Sequence, residues 1–420
     1  MKNVLIISYY WPPSGGPGVQ RWLKMVKFLK LHDICPIVLT VSPSSATYPI
    51  IDNSLSEEVP ADLKVYRTNS FEPLKIFAKL FGSEKIPYSG FANVETKSFF
   101  SKITRWIRGN FFIPDARKGW NKYAIYMANK LIVEKEIACI ITSGPPHSTH
   151  LIGIKLKEVH GVEWIADFRD PWTDIYYYDQ LLLSKRSRLK NSVYEKEVLN
   201  KADKVLAVCE SNARLLKSKM NDKSKLSIIP NGYDKSDFPT IQKTKNEVFR
   251  IGYIGTLAEL YDPTPILKVL LNLNFPIKLI IAGKISPQIE NFINNTDLSE
   301  LTDYLGYLDH QEALKVTREC DLLLHILPVA KGTNMGTSGK LFEYLGSEVP
   351  ILNIGPEMSD SAMIIEECGA GKTFNRENIK EIKQFVNAVF EGEFESSGNV
   401  IMYSRRELTR KLASIIRHDK

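Results

Sequence analysis

Val4-Leu5-Ile6-Ile7-Ser8, Pro12-Pro13-Ser14-Gly15-Gly16-Pro17-Gly18, the run Val19–His32 and Pro36-Ile37-Val38-Leu39-Thr40-Val41 open the chain in that order. The first and last are short apolar runs, as in strands buried on both faces. Between them stand a Gly/Pro loop and a stretch with the apolar spacing of an amphipathic helix. Strand, loop, helix, strand is a βαβ unit, which predicts a parallel sheet covered by helices.

The rhythm continues through strands expected at Lys64–Arg67, Ala138–Thr142, Glu163–Asp167 and Lys204–Val208. Ile228-Ile229-Pro230-Asn231-Gly232-Tyr233-Asp234 ends a further strand in turn chemistry, and the polar Lys235–Asn246 reads as a linker. The alternation then restarts. Strands are expected at Phe249–Ile254, Lys278–Ala282, Asp303–Tyr307, Leu322–Ile326 and Pro350–Ile354, with helices near Pro263–Leu273, Gln311–Glu319 and Gly339–Ser347. The expectation is an α/β protein of two Rossmann-like, doubly wound domains facing across a cleft. The first covers 1–235 and carries an aromatic, basic insertion with short helical signals at about 70–120. The second covers 236–400, and a C-terminal helix over 401–420 is free to cross back to the first.

A chain of 420 residues exceeds one ordinary core, which agrees with two domains. No apolar run reaches about 18 residues, the length of a membrane-spanning helix. Val4–Ser8 is too short for the apolar region of a signal peptide. The five cysteines are scattered without a CxxC pair, as for reduced thiols in a cytoplasmic protein. A net charge of +7 favours an anionic partner without choosing among nucleotide, acidic lipid and nucleic acid.

Two glycine-rich loops carry the candidate chemistry. In the first, Gly15 and Gly16 let backbone N–H groups approach a ligand at a helix N-terminus, or simply make a βα turn. It is not GxGxxG, and Leu39-Thr40-Val41-Ser42 ends the second strand without an acidic ribose ligand, which disfavours a nicotinamide enzyme. The second is Lys331-Gly332-Thr333-Asn334-Met335-Gly336-Thr337-Ser338-Gly339-Lys340-Leu341-Phe342-Glu343-Tyr344. A Gly/Thr/Ser loop enters a helix with Lys340 and Glu343 on one face, where amides and the Thr337 and Ser338 hydroxyls suit a diphosphate. Glu343 can accept from two vicinal hydroxyls, as a ribose presents. The same pattern also describes a plain N-cap with a surface Lys–Glu pair. Leu341 stands where a Walker loop needs Ser or Thr.

In order and spacing these segments resemble the family-4 retaining glycosyltransferases of the GT-B fold, in a bacterial polysaccharide-forming subgroup. The likeness runs through Ile6–Trp22, Lys204–Asn212, Ile228–Tyr233, Ile251–Leu257, Asp303–His310 and Glu312–Leu323. It implies a UDP- or GDP-linked sugar donor, held by Gly15, Gly16, Gly255, Thr256, Lys331, Thr337, Ser338, Gly339, Lys340, Leu341 and Glu343. It also implies a glycan or lipid-linked saccharide acceptor, retention of configuration, and no metal or other cofactor.

Two departures stand out. The family's Glu-x7-Glu has Met335 in place of its first, sugar-holding Glu. Its diphosphate-binding Arg and Lys are missing from Gly255–Glu259, leaving Lys284 and Lys331 either to supply that charge or to stand exposed. In the first domain, His147 follows one strand and Asp170 another. His147 either orients an acceptor or caps a helix; Asp170 is the leading polar group, and Arg169 pairs with it or with Asp167.

The stretch 97–108 combines four basic residues with Phe99, Phe100, Ile103, Trp106 and Ile107 and no acid. That suits either an interfacial helix at the inner face of the plasma membrane or a helix packed on its own domain. Nucleic acid fits it less well. A non-catalytic nucleotide-sugar-binding scaffold and a sugar-nucleotide 2-epimerase on the same fold are the alternatives to transfer.

Overall fold

The computed structural model describes residues 1–72, 99–175, 178–240, 248–329 and 337–418. These form two compact units, Met1–Pro230 with Thr409–Lys420, and Asn231–Leu408.

Unit 1 is built on a seven-stranded parallel sheet. Its strands are β1 (Lys2–Ser8), β2 (Ile34–Val41), β3 (Lys64–Thr68), β4 (Cys139–Gly144), β5 (Glu163–Phe168), β6 (Lys204–Ala207) and β7 (Leu226–Ile228). Their order is β3-β2-β1-β4-β5-β6-β7. β1 has β2 on one side (Val4 opposite Pro36) and β4 on the other (Val4 opposite Cys139). The chain therefore winds outward in both directions from the β1/β4 gap, where such sheets bind ligands.

The Pro17–Leu29 helix starts with proline at its first turn and buries Val19, Trp22, Leu23, Met25, Val26 and Leu29 on the sheet. The Ser148–His160 helix lies so close to β5 that a Cβ at Gly153 would stand 2.2 Å from the Trp164 ring. Arg21 and Asp167 pair with side chains wholly removed from solvent (Nη2–Oδ1 2.9 Å, Nε–Oδ2 3.2 Å), and Arg21 Nη1 also reaches the carbonyls of Ile229 and Pro230. One guanidinium thus ties the first helix to the end of β5 and to the segment leaving the unit.

Unit 2 has a six-stranded parallel sheet of β8 (Phe249–Ile254), β9 (Ile277–Ala282), β10 (Thr302–Gly306), β11 (Leu322–Ile326), β12 (Ile351–Ile354) and β13 (Gly371–Phe374). The order is β10-β9-β8-β11-β12-β13, with its switch point between β8 and β11. Period-2 alternation splits the central strands between two cores. Leu322, Leu324 and Ile326 join one with Phe249, Ile251 and Tyr253, while Leu323 joins the other with Ile254 and Ile351.

The parallel doubly wound architecture expected from sequence is present in both units. The insertion holds more regular structure than its short helical signals suggested: Phe99–Phe111 is one thirteen-residue helix. In it Arg105 is buried while Trp106, Ile107 and Phe111 face outward. Residues 97 and 98 of the basic stretch, Lys331 and Met335 lie outside the described residues.

Candidate nucleotide-binding site

The helix that follows the second glycine-rich loop starts at the β8/β11 switch point. β8 ends at Ile254, and Gly255 turns with φ 129°, its N–H donating to the carbonyl of Ala282 at 2.6 Å. Gly283 repeats the turn after β9 (φ 127°), donating to Gly306 at 2.6 Å, and a Cβ there would stand 2.4 Å from the Gly255 oxygen. Only glycine fits two such turns in contact. Thr256 is exposed, and its carbonyl accepts from the Tyr253 hydroxyl at 3.0 Å.

The Gly339–Ser347 helix follows β11 with Ser338 at its N-cap, yet the Ser338 side chain makes no capping bond. Its hydroxyl is engaged by His325 Nε2 at 3.1 Å, and His325 Nδ1 meets Asn353 Oδ1 at 2.8 Å. Burial pushes the His325 imidazole down to about 4, against the Asn353 hydrogen bond, so it is neutral at pH 7. This corrects the plain N-cap reading. It also corrects the use of Ser338 as a free hydroxyl donor. The Thr337 hydroxyl is buried without a hydrogen-bond partner among the described residues. Tyr344 pins this helix to β8, its hydroxyl accepting from Ile254 N–H at 2.9 Å.

Lys340 and Glu343 do not form the surface pair that their spacing allowed. Lys340 Nζ lies 4.0 Å from the centroid of the Tyr253 ring, close over Gly255. Burial lowers its pKa to about 7, with Glu343 opposing. Glu343 Oε1 is instead 3.2 Å from His310 Nε2. Leu341 is buried in the core beneath the helix, and Lys284 projects exposed from the loop after β9. Unit 2 thus brings Gly255, Thr337, Gly339, Lys340 and Glu343 to one sheet edge. Of the two lysines proposed from sequence, the described residues place Lys284 on the surface.

In unit 1 the β1 and β4 loops meet the switch point. Gly16 takes φ 102° at the N-cap of the first helix, and Gly15 N–H donates to Ile50 O at 3.0 Å. His147 stacks on Trp172 (4.9 Å between ring centroids, 7° between planes), and burial drives its pKa well below the ordinary value. Its Nδ1 has no hydrogen-bond partner among the described residues. His150, one turn on, stacks on Phe168 and is held neutral by burial, at about 3.

Arg169 spans Gly18, where a Cβ would stand 1.7 Å from its Nη1, and bonds the Pro145 carbonyl. It leaves Asp167 to Arg21, Trp22 and Ser143. Burial raises the pKa of Asp170, with Arg169 opposing. Sequence reading missed Arg21, His150, His310 and His325. The partners of Arg21, His310 and His325 lie 13 or more residues away in the chain, and His150 bonds Thr142 back on the preceding strand, so no helical spacing marks them. Among the described residues, no cluster of three or more His, Cys, Asp or Glu side chains could hold a metal, and no helix is long and apolar enough to cross a membrane.

With this geometry in place, the chain can be set beside known proteins. The model of Glycosyltransferase Family 4 matches residues 91–237. That match spans about a third of the chain, in unit 1 and the start of unit 2. No curated protein sequence matches the chain.

Among solved structures, the chain is similar to the apo form of the lipopolysaccharide outer core galactosyltransferase WaaB (11% identity, TM-score 0.58, all of both chains covered). Anabaena Alr3699/HepE in complex with UDP matches at 12% identity and TM-score 0.59, over 100% of this chain and 98% of that one. Sucrose-phosphate synthase from Thermosynechococcus elongatus matches at 11% and 0.62, over 100% and 99%. At such identities the likeness is one of fold, and the fold is GT-B.

Proposed function

We propose that the chain is a retaining glycosyltransferase. It would move a sugar from a UDP- or GDP-linked donor to a glycan or lipid-linked saccharide, at the cytoplasmic face of the membrane. The observation that carries this is the helix N-terminus at the β8/β11 switch point. Its amides lack a side-chain cap, and Lys340 and Glu343 stand beside it. Uncapped amides and a lysine suit a diphosphate; a carboxylate one turn further suits a ribose diol.

In this reading unit 2 holds the nucleotide and unit 1 takes the acceptor. The bond from the anomeric carbon to the diphosphate oxygen breaks, and the acceptor oxygen bonds the same carbon on the face the diphosphate leaves. The acceptor's proton passes to the departing diphosphate. Lys340 and the helix N-terminus stabilise the charge developing there, with no metal required. His147, neutral and with an Nδ1 that has no hydrogen-bond partner among the described residues, orients a sugar hydroxyl. Asp170, its carboxyl raised by burial, is the second polar group of unit 1, and Lys284 and Lys331 add positive charge near the diphosphate.

Thermal-shift titration with UDP-, GDP- and ADP-sugars tests the donor site. Linkage predicts stabilisation of about 2.7 kcal/mol at a hundredfold excess over Kd. Glu343→Ala should erase most of the shift, and an unchanged shift overturns the assignment. Release of nucleoside diphosphate with mixed acceptors tests transfer. Met335, in place of the family's first Glu, favours one other outcome: tight donor binding with no turnover on any acceptor, which makes the chain a scaffold. Epimerised nucleotide sugar without acceptor would make it a 2-epimerase.

The Phe99–Phe111 helix supports a membrane-bound acceptor. Trp106 and Phe111 are 47% and 70% exposed and touch edge to face, on a helix without an acidic residue. Trp106→Glu should abolish co-sedimentation with anionic liposomes; unchanged sedimentation removes the membrane from the reading.

A further inference from the structure

Glu343 is a flexible side chain 31% exposed, and a carboxylate there would ordinarily sample several rotamers. It does not stand alone. His310 opens the His310–Glu319 helix, whose N-terminus is capped by Asp309 Oδ1 accepting from Glu312 N–H at 2.9 Å. The imidazole is 12% exposed, and its Nε2 lies 3.2 Å from Glu343 Oε1. The two helices also share an apolar contact, in which Ala313 and Val316 pack against the core holding Leu341, Phe342 and Leu345. The backbone positions of the two residues are therefore set without the polar pair.

We propose that His310 is a positioning residue for nucleotide recognition, holding Glu343 in the rotamer that receives the ribose diol. The inference rests on the nucleotide reading of the site. Donation from Nε2–H engages one lone pair of Oε1. Oε2 and the remaining lone pair of Oε1 stay open for two adjacent hydroxyls. Ordering a glutamate side chain opposes binding, and a histidine that orders it beforehand removes that opposition. An ordinary surface ion pair would contribute little and would not depend on the ligand. What separates the two is whether His310 affects the ribose alone.

The experiment uses the full chain and isothermal titration with UDP and with 2′-deoxy-UDP, or the GDP pair if GDP is the nucleotide bound. A hydroxyl bonded to a carboxylate should make the ribonucleotide bind about tenfold or more tightly than its deoxy form. In His310→Ala that preference should fall to about threefold or less, while affinity for the deoxy form changes less than about twofold. His310→Gln, which places an amide N–H where Nε2 stood, should recover most of the preference.

Equal loss of both ligands in His310→Ala, or a ribose preference that survives it, overturns the inference while leaving the nucleotide site standing. No preference in the unaltered chain, or no binding, overturns the site reading and this inference together.

Discussion

Lys340 lays its ammonium on the face of the Tyr253 ring, 4.0 Å from the centroid, across the positive-φ turn at Gly255. Two residues from opposite sides of the unit 2 switch point thereby share one small volume. Gly255 has no room for a side chain beneath Lys340, where a Cβ would stand 2.7 Å from its Cε and Nζ.

The pH dependence of Lys340 follows from its burial. Its folded pKa is about 7, and an unfolded lysine titrates near 10.4. Between those values the unfolded chain binds the extra proton, so this residue's contribution to stability becomes more favourable as pH rises from about 7 to 10. Below pH 7 the cost of the buried charge is present in full. Lys340→Met should therefore stabilise the ligand-free protein at pH 6 by about 1–2 kcal/mol, with the gain vanishing near pH 10, while weakening nucleoside diphosphate binding. Urea unfolding at three pH values, paired with UDP titration, checks both signs.

Gly255→Ala should be harmful out of proportion to one methyl group. The residue holds φ 129°, and the new Cβ would stand 2.7 Å from both Cε and Nζ of Lys340. Backbone strain of this kind costs on the order of 1–3 kcal/mol. Displacement of Lys340 should add a loss in diphosphate affinity, so calorimetry should report both a lower Tm and a weaker Kd.

Three buried imidazoles make the protein acid-sensitive. Burial depresses His147 and His150 in unit 1 and His325 in unit 2, the last two to about 3 and about 4. Unfolded histidine titrates near 6.5, so below that pH the unfolded chain binds more protons and stability falls as pH drops. Each imidazole contributes a slope of about 1.4 kcal/mol per pH unit. Chemical unfolding between pH 6.5 and 5 should show the steeper dependence for unit 1, and His147→Gln should lower that slope by one proton.

Arg21→Met should be among the most damaging single changes in unit 1. It strands Asp167, a carboxylate with no solvent exposure, and removes the donor to Ile229 and Pro230. Breaking one half of a buried pair costs about 3–5 kcal/mol. Adding Asp167→Asn should restore part of the loss, because the stranded charge is gone. Urea midpoints for both variants test this.

Repetition made the sheets legible. Leu322–Ile326 and Gly339–Ser347 could be bounded from sequence alone, since four apolar residues around His325 and a glycine-led amphipathic run each read as one element. β13 and the Asp360–Glu367 helix left little trace, because Gly371-Lys372-Thr373-Phe374 buries too little apolar surface to look like a strand. At the site, the loop and its helix were visible as a glycine pattern. The partners were not. Spacing suggested Lys340 with Glu343 and Ser338 as cap or donor, whereas the fold gives Lys340 to Tyr253, Glu343 to His310 and Ser338 to His325. Each true partner lies 13 or more residues away in the chain, beyond any local rule.

The turning of the Ser338 hydroxyl toward His325 leaves the first turn of its helix short of one interaction. A bound diphosphate would supply it, so the nucleotide completes a piece of secondary structure as well as occupying a site. Amide hydrogens at Gly339 and Lys340 should then exchange with solvent quickly in the free protein and slowly in the complex. Hydrogen exchange at that single turn would report occupancy, independently of any sugar transferred.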